Sequence, residues 1–198
     1  MVEFALIFPI LMMLLVALAD FGRIFAAGVI VEAAARDAAE IVAQNYIANP
    51  PGSASGVLLS DPPPNPPDPA AYYSDLHAKG VRAACVETKN LPNSNFDPAL
   101  ETCTGGPHIY VCVHDGVDDA CDVEAQGATP PSSCDEMAPP PNNGRALGEA
   151  PRRWVEVRLC YKFTTILKIP VTGFTEFYVQ RTRSFTIACW LKSGAECG

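Results

Sequence analysis

Sixteen consecutive residues, Phe4 to Ala19 (FALIFPILMMLLVALA), carry no charge, and this run limits the whole chain because water is a poor solvent for it. It falls just short of the roughly 17 to 25 apolar residues that span a bilayer as a helix. It therefore fits a membrane or an apolar bundle with little length to spare. A secretory signal opens on a basic region and closes on a small-residue cleavage site before a structural break. Here the helical pattern instead continues past Asp20. Met1 to Asn49 is accordingly predicted to be one helix in two environments, on the order of 70 Å long at about 1.5 Å per residue.

Along its front, Phe4, Leu6, Ile7, Phe8, Pro9, Leu11, Leu14, Leu15, Leu18 and Phe21 are expected to meet lipid or other helices. A carboxylate alone in hydrocarbon is costly, so Glu3 must reach the interface or find a positive partner, an α-amino group being the nearest. Pro9 lacks an amide proton and is expected to kink or loosen the helix unless it falls in the first turn. Asp20 and Arg23 stand three apart, a spacing that pairs them where the helix leaves the apolar layer. Behind them the segment is alanine-rich. Glu32, Arg36 and Glu40 follow at i+4, and Gln44 completes a solvated row. Ile30, Val31, Ala34, Ile41, Val42 and Ile47 leave a wide apolar face that needs a cover. Asn49-Pro50-Pro51-Gly52 ends the helix.

The remainder of the 198 residues is enough for one modest core. All eight cysteines lie at or beyond Cys85: Cys85, Cys103, Cys112, Cys121, Cys134, Cys160, Cys189 and Cys197. None forms a C-x-x-C, which argues against zinc, and the set reads as a disulfide framework in an oxidising compartment. Eight cysteines admit about a hundred pairings, and spacing does not choose among them. Net charge is −8, divided into −3 over residues 1–50, −10 over 51–150 and +5 over 151–198. The acidic middle and basic end are open to mutual packing, although solubility is the simpler meaning. An acidic chain is a poor nucleic-acid binder.

Three regions follow: the helix at 1–49, a proline-rich connection at 50–69, and a cysteine-rich head at 70–198. Asp68 before Pro69 reads as an N-cap for a short helix through Lys79, stopped by Gly80, with Val81 to Thr88 as a strand carrying Cys85. His77 lies in that helix without a second ligand at helical spacing, so it reads as a packing or surface residue. His108 to His114 (HIYVCVH) alternates like a half-buried strand. Asp115, Asp118, Asp119 and Asp122 offer the oxygen ligands calcium uses, but their spacing is not that of an EF-hand, and a solvated acidic loop is the simpler reading. Residues 125–151 form a proline-broken excursion pinned by Cys134.

Trp154 to Phe163 places Val155, Val157, Leu159, Tyr161 and Phe163 on one face, with Glu156, Arg158 and Lys162 on the other. Thr175 to Trp190 is predicted as its antiparallel partner, with Arg181 and Arg183 marking a bulge or a sheet edge. A small sheet needs a cover on its apolar face, and the rear of the long helix has the width to supply it. The expected fold is α+β: a long N-terminal helix packed on a small antiparallel sheet with long disulfide-stapled loops.

Candidate catalytic groups are His77, His108, or His114 with Asp115. No nucleophile motif, phosphate loop or metal-ligand spacing accompanies them, so neither an enzyme nor a cofactor is expected.

Val2-Glu3-Phe4-Ala5-Leu6-Ile7-Phe8-Pro9, followed by Asp20-Phe21-Gly22-Arg23, resembles the opening of TadE-like pseudopilins of tight-adherence pili, within the type IV pilin superfamily. The alanine-rich continuation and a strand pair ending in Arg181-Thr182-Arg183 are similar too, so the likeness covers roughly 1–48 and 153–190. It implies a pilin-like fold and a prepilin cut by a dedicated peptidase. It further implies a single-pass inner-membrane precursor, drawn by assembly machinery into a homo-oligomeric helical filament at the cell surface. Glu3 stands two places earlier than the glutamate of the family pattern. Its implied role is to neutralise the amino terminus of its own or an adjacent subunit as helices stack, consistent with the need to pair a carboxylate in an apolar bundle.

Two functions compete. One is a structural filament subunit with helices in the core and heads outside. The other is a membrane-anchored minor pseudopilin or surface binding module that does not itself polymerise. Membership of a family whose members are usually accessory favours a minor role, whereas the full-size stapled head favours a durable exposed subunit.

Overall fold

A computed structural model describes residues 2–48, 69–114, 121–124, 134, 154–166 and 176–187, with the backbone alone for 2, 3, 5, 6, 69–71 and 121–124. The proline-rich connection, the carboxylates of Asp115, Asp118, Asp119 and Asp122, the thiol of Cys121, and Cys189 and Cys197 lie outside the described set. So do the side chains of Glu3 and Leu6.

The first helix, α1, runs Val2–Ala48 with Pro9 inside it. Alanine, leucine, methionine, glutamate, arginine and glutamine, all good helix formers, fill about half of its length. The helical assignment is unbroken at Pro9. The second helix, α2, runs Pro69–Thr88, which corrects the expectation of a helix ending at Gly80 followed by a strand. Val81, Ala84, Cys85 and Thr88 recur at helical spacing and are all buried. Gly80 is a close-packing position rather than a stop. A Cβ there would lie 2.5 Å from a Val42 methyl and 3.2 Å from both Val111 methyls, so glycine is what lets α2 approach α1 and the sheet. The Thr88 hydroxyl closes the end of α2 by donating to the Ala84 carbonyl at 2.8 Å.

Among the described residues six strands follow: β1 Asn95–Asp97, β2 Thr102–Thr104, β3 His108–His114, β4 Cys121–Glu124, β5 Trp154–Thr164 and β6 Glu176–Thr186. β1 and β2 form a small hairpin, and the main sheet has the order β4-β3-β5-β6. β5 and β6 pair antiparallel without interruption from Trp154↔Thr186 to Thr164↔Glu176. Arg181 and Arg183 therefore mark a sheet edge, not a bulge.

The sheet's helix-facing side carries Ile109, Val111, Val113, Val155, Val157, Leu159, Tyr161, Phe163 and Val179. These residues pack on the buried alanines and valines of α1 and on Tyr73, Leu76 and Ala84 of α2. The rear of α1 is thus the cover the sheet requires. The opposite side is not the solvated face predicted for β3 and β5. Tyr110, Cys112, His114, Glu156 and Cys160 are buried there; Cys134 and Tyr178 pack with Tyr110 and Cys160, and His114 stacks on Trp154. Two described disulfides, Cys85–Cys103 and Cys134–Cys160, tie α2 to β2 and the 125–151 excursion to β5. Cys112 is disulfide-bonded as well. In the β3–β4 register Cys121 stands opposite it.

Candidate functional site

The site sits where α1 emerges from the head. In front of it Phe4, Ile7, Phe8, Leu11, Leu14, Leu15 and Leu18 are exposed, and the Phe4 and Phe8 rings meet at 6.2 Å between centroids. By length and composition this helix is able to cross a membrane.

Asp20, the first charge after the apolar run, is only 6% exposed because it faces the head. Its two carboxylate oxygens accept the Ile166 amide at 3.1 and 3.0 Å, just past the end of β5. Arg23 pairs with Asp20 at 3.0 Å. The Arg23 guanidinium also lies 5.0 Å from the centre of the Phe163 ring. The helix exit pair predicted from spacing is therefore one part of a clamp, and Phe163 and Ile166 were missing from it. Two groups an apolar layer rejects are spent on holding the head to the helix.

A second tie lies three turns further along α1. Glu32 accepts Arg181 at 3.5 Å and also pairs with Arg183, joining α1 to β6. The expectation that Glu32 belongs to a solvated row is corrected in this respect, while Glu40 and Gln44 do bond along that row at 2.9 Å. The signal available was charge balance, since β6 brings two cations to a sheet whose covering helix offers an acid at the matching level. All three of these side chains are at least one-third exposed, so the tie aligns more than it stabilises.

The three histidines do not converge. His77 is buried between α2 and β3, its Nε2 accepting the Val113 amide at 3.2 Å, which is the packing role expected of it. His108 and His114 occupy opposite ends of β3, about 20 Å apart at about 3.3 Å per residue. His114 stacks on Trp154 at 4.6 Å and meets Glu156 at 3.2 Å. Glu156 is held on its other oxygen by Arg158 at 2.7 Å. Burial pushes the Glu156 carboxyl up, but hydrogen bonds and charge from His114 and Arg158 outweigh it and leave it below its ordinary value. Burial lowers His108, whose Nδ1 is enclosed without a hydrogen-bond partner among the described residues. Among the described residues no group of three or more His, Cys, Asp or Glu side chains is placed to hold a metal ion.

A long N-terminal helix with a bare apolar front, clamped at its exit onto an antiparallel sheet stapled by disulfides, defines an α+β protein of pilin-like architecture. The TadE-like protein family matches residues 1–40, the same stretch of α1 that holds the bare front, the Asp20 clamp and Glu32. The resemblance read from Val2 to Pro9 and from Asp20 to Arg23 is borne out by that match, which does not reach residues 153–190. No curated protein and no solved structure matches the chain.

Proposed function

We propose that the chain is a structural subunit of a type IV or Tad-like pilus filament. The front of α1 holds a single-pass precursor in the inner membrane. Copies of α1 then bundle into the filament core, with the disulfide-stapled heads outside. The observation that carries this reading is the division of α1 at Asp20. Before it the apolar side chains are exposed, and at it the charges are turned into the head, so between Glu3 and Asp20 the front passes from lipid to a bundle without moving a charge. The TadE-like match over the same residues supports it. Prepilin peptidase and the assembly machinery are the partners this implies, and nucleic acid is not among them.

Glu3 supplies the charge that neutralises an amino terminus during stacking. Glu3→Ala is expected to block assembly and leave membrane insertion intact, and equal filament yield would sink that role. The family likeness also favours a second reading, a minor pseudopilin. Immunogold labelling of intact filaments separates the two. Continuous label supports the main-subunit form, whereas isolated label, or label confined to membranes, supports the minor pseudopilin and contradicts the main-subunit form.

A further inference from the structure

The main sheet ends in two strands of opposite charge. At one edge β6 carries Arg181 and Arg183, and at the other β4 carries Asp122 and Glu124. Among the described residues no strand lies outside either of them. The strand registers bring these four residues into two rows. One row is Asp122, Val111, Val157, Arg183, and the next is Glu124, Ile109, Leu159, Arg181. Each row starts with an acid, crosses two fully buried apolar residues and ends with a base. Within one copy the two ends stand three strand spacings apart, roughly 14 Å at about 4.8 Å each, so they do not meet as cross-strand neighbours.

Charged residues on an edge keep other strands away, and here they do so selectively. Two β6 edges laid centre to centre would oppose arginine to arginine, and two β4 edges acid to acid. The unlike edges behave differently. Every strand of the sheet runs antiparallel to its neighbour, so β4 of a copy placed alongside in the same orientation runs antiparallel to β6. One register then sets Arg183 opposite Asp122 and Arg181 opposite Glu124, continuing both rows without stagger. Glu32 does not cancel the arginines, since its one carboxylate serves both guanidiniums, and residues 181–186 of β6 are exposed. We infer that β6 is a docking edge for β4 of a second copy, so that the sheet continues from head to head with each α1 on the same side. A contact between two different patches does not close as a pair and therefore propagates from copy to copy. The choice of partner rests on the subunit reading.

The test places a photo-crosslinking amino acid at Thr182, which this register sets opposite Val123, in the full chain in its native membranes and filaments. The expected product is a ladder of dimers and larger species whose adducts map to Cys121–Glu124. Arg181→Glu should cut the yield about fivefold, the swing from an attractive to a repulsive cross-strand pair. Adding Glu124→Arg should restore the yield, although the tie from Glu32 to position 181 stays broken. Adducts that map to β6 of the second copy, to lipid or to another protein overturn the edge contact, as does a yield that Arg181→Glu leaves unchanged. Filaments that form without the β4 adduct would sink the contact and leave the filament reading standing. A β4 adduct found only in membranes of cells that make no filament would keep the contact and remove the filament reading.

Discussion

Replacing Asp20 by alanine removes a carboxylate that binds Ile166, just past β5, to the helix at its exit. The Ile166 amide loses an ionised acceptor that it reaches through both oxygens, a bond worth about 1.5 to 3 kcal/mol. Arg23 loses its partner, but its side chain is 36% exposed and water replaces much of the pair, so that contribution is about 0.5 to 1 kcal/mol. The sum, about 2 to 4 kcal/mol, lowers Tm by about 4 to 16 °C in a chain of this size. The assay is thermal unfolding followed by near-ultraviolet circular dichroism of the full chain in detergent micelles. Asp20→Asn keeps one oxygen for the amide and should lose about half as much. An alanine variant melting within about 2 °C of the parent would refute the clamp as a stabilising contact.

Gly80→Ala gains helix propensity but forces a Cβ to 2.5 Å from Val42. A net loss of about 1 to 2 kcal/mol in chemical denaturation is expected, relieved by adding Val42→Ala. Peptide mapping under non-reducing conditions should recover Cys85–Cys103 and Cys134–Cys160, and the β3–β4 register predicts Cys112 joined to Cys121. Removing Cys85 and Cys103 together, which opens a loop of 18 residues, should cost about 3 kcal/mol.

Stability should also fall in acid by two identifiable routes. His108 is lowered from its ordinary 6.5, so its contribution is complete above that pH and is lost as pH falls through the folded value. Glu156 is lowered from its ordinary 4.5, so its share is complete above that value and disappears further down. Unfolding titrations of His108→Gln and Glu156→Gln should each flatten the corresponding part of the curve, and unchanged slopes would contradict both assignments.

Much of this fold is written in periodicity. The unbroken charge-free run and the i+4 row of α1 define one long helix, and the alternation from Val155 to Phe163 defines which side of β5 the helix covers. The sequence was harder to read where one residue type serves two purposes. Gly80 looks like a helix stop, yet it is a contact between three elements that only tertiary packing brings together. Glu156 and Arg158 alternate like solvent-facing residues but are paired with each other, and Glu156 with His114, on a face that Cys134 joins through its disulfide, a contact no local pattern encodes. The site was half legible for the same reason. Asp20 and Arg23 are neighbours on one helix turn, whereas Ile166 and Phe163 join them across well over a hundred residues of chain. Arg181 and Arg183 announced a sheet edge but not the acid that faces them.

In the filament reading α1 ends among copies of itself, which electron cryomicroscopy of filaments sheared from cells that produce the chain would show. The expected map shows a filament whose axis is a bundle of helices on the order of 70 Å long, with Asp20 turned outward to its own head. Filaments lacking this chain, or a chain recovered only from the membrane with its helix front in lipid, would contradict it.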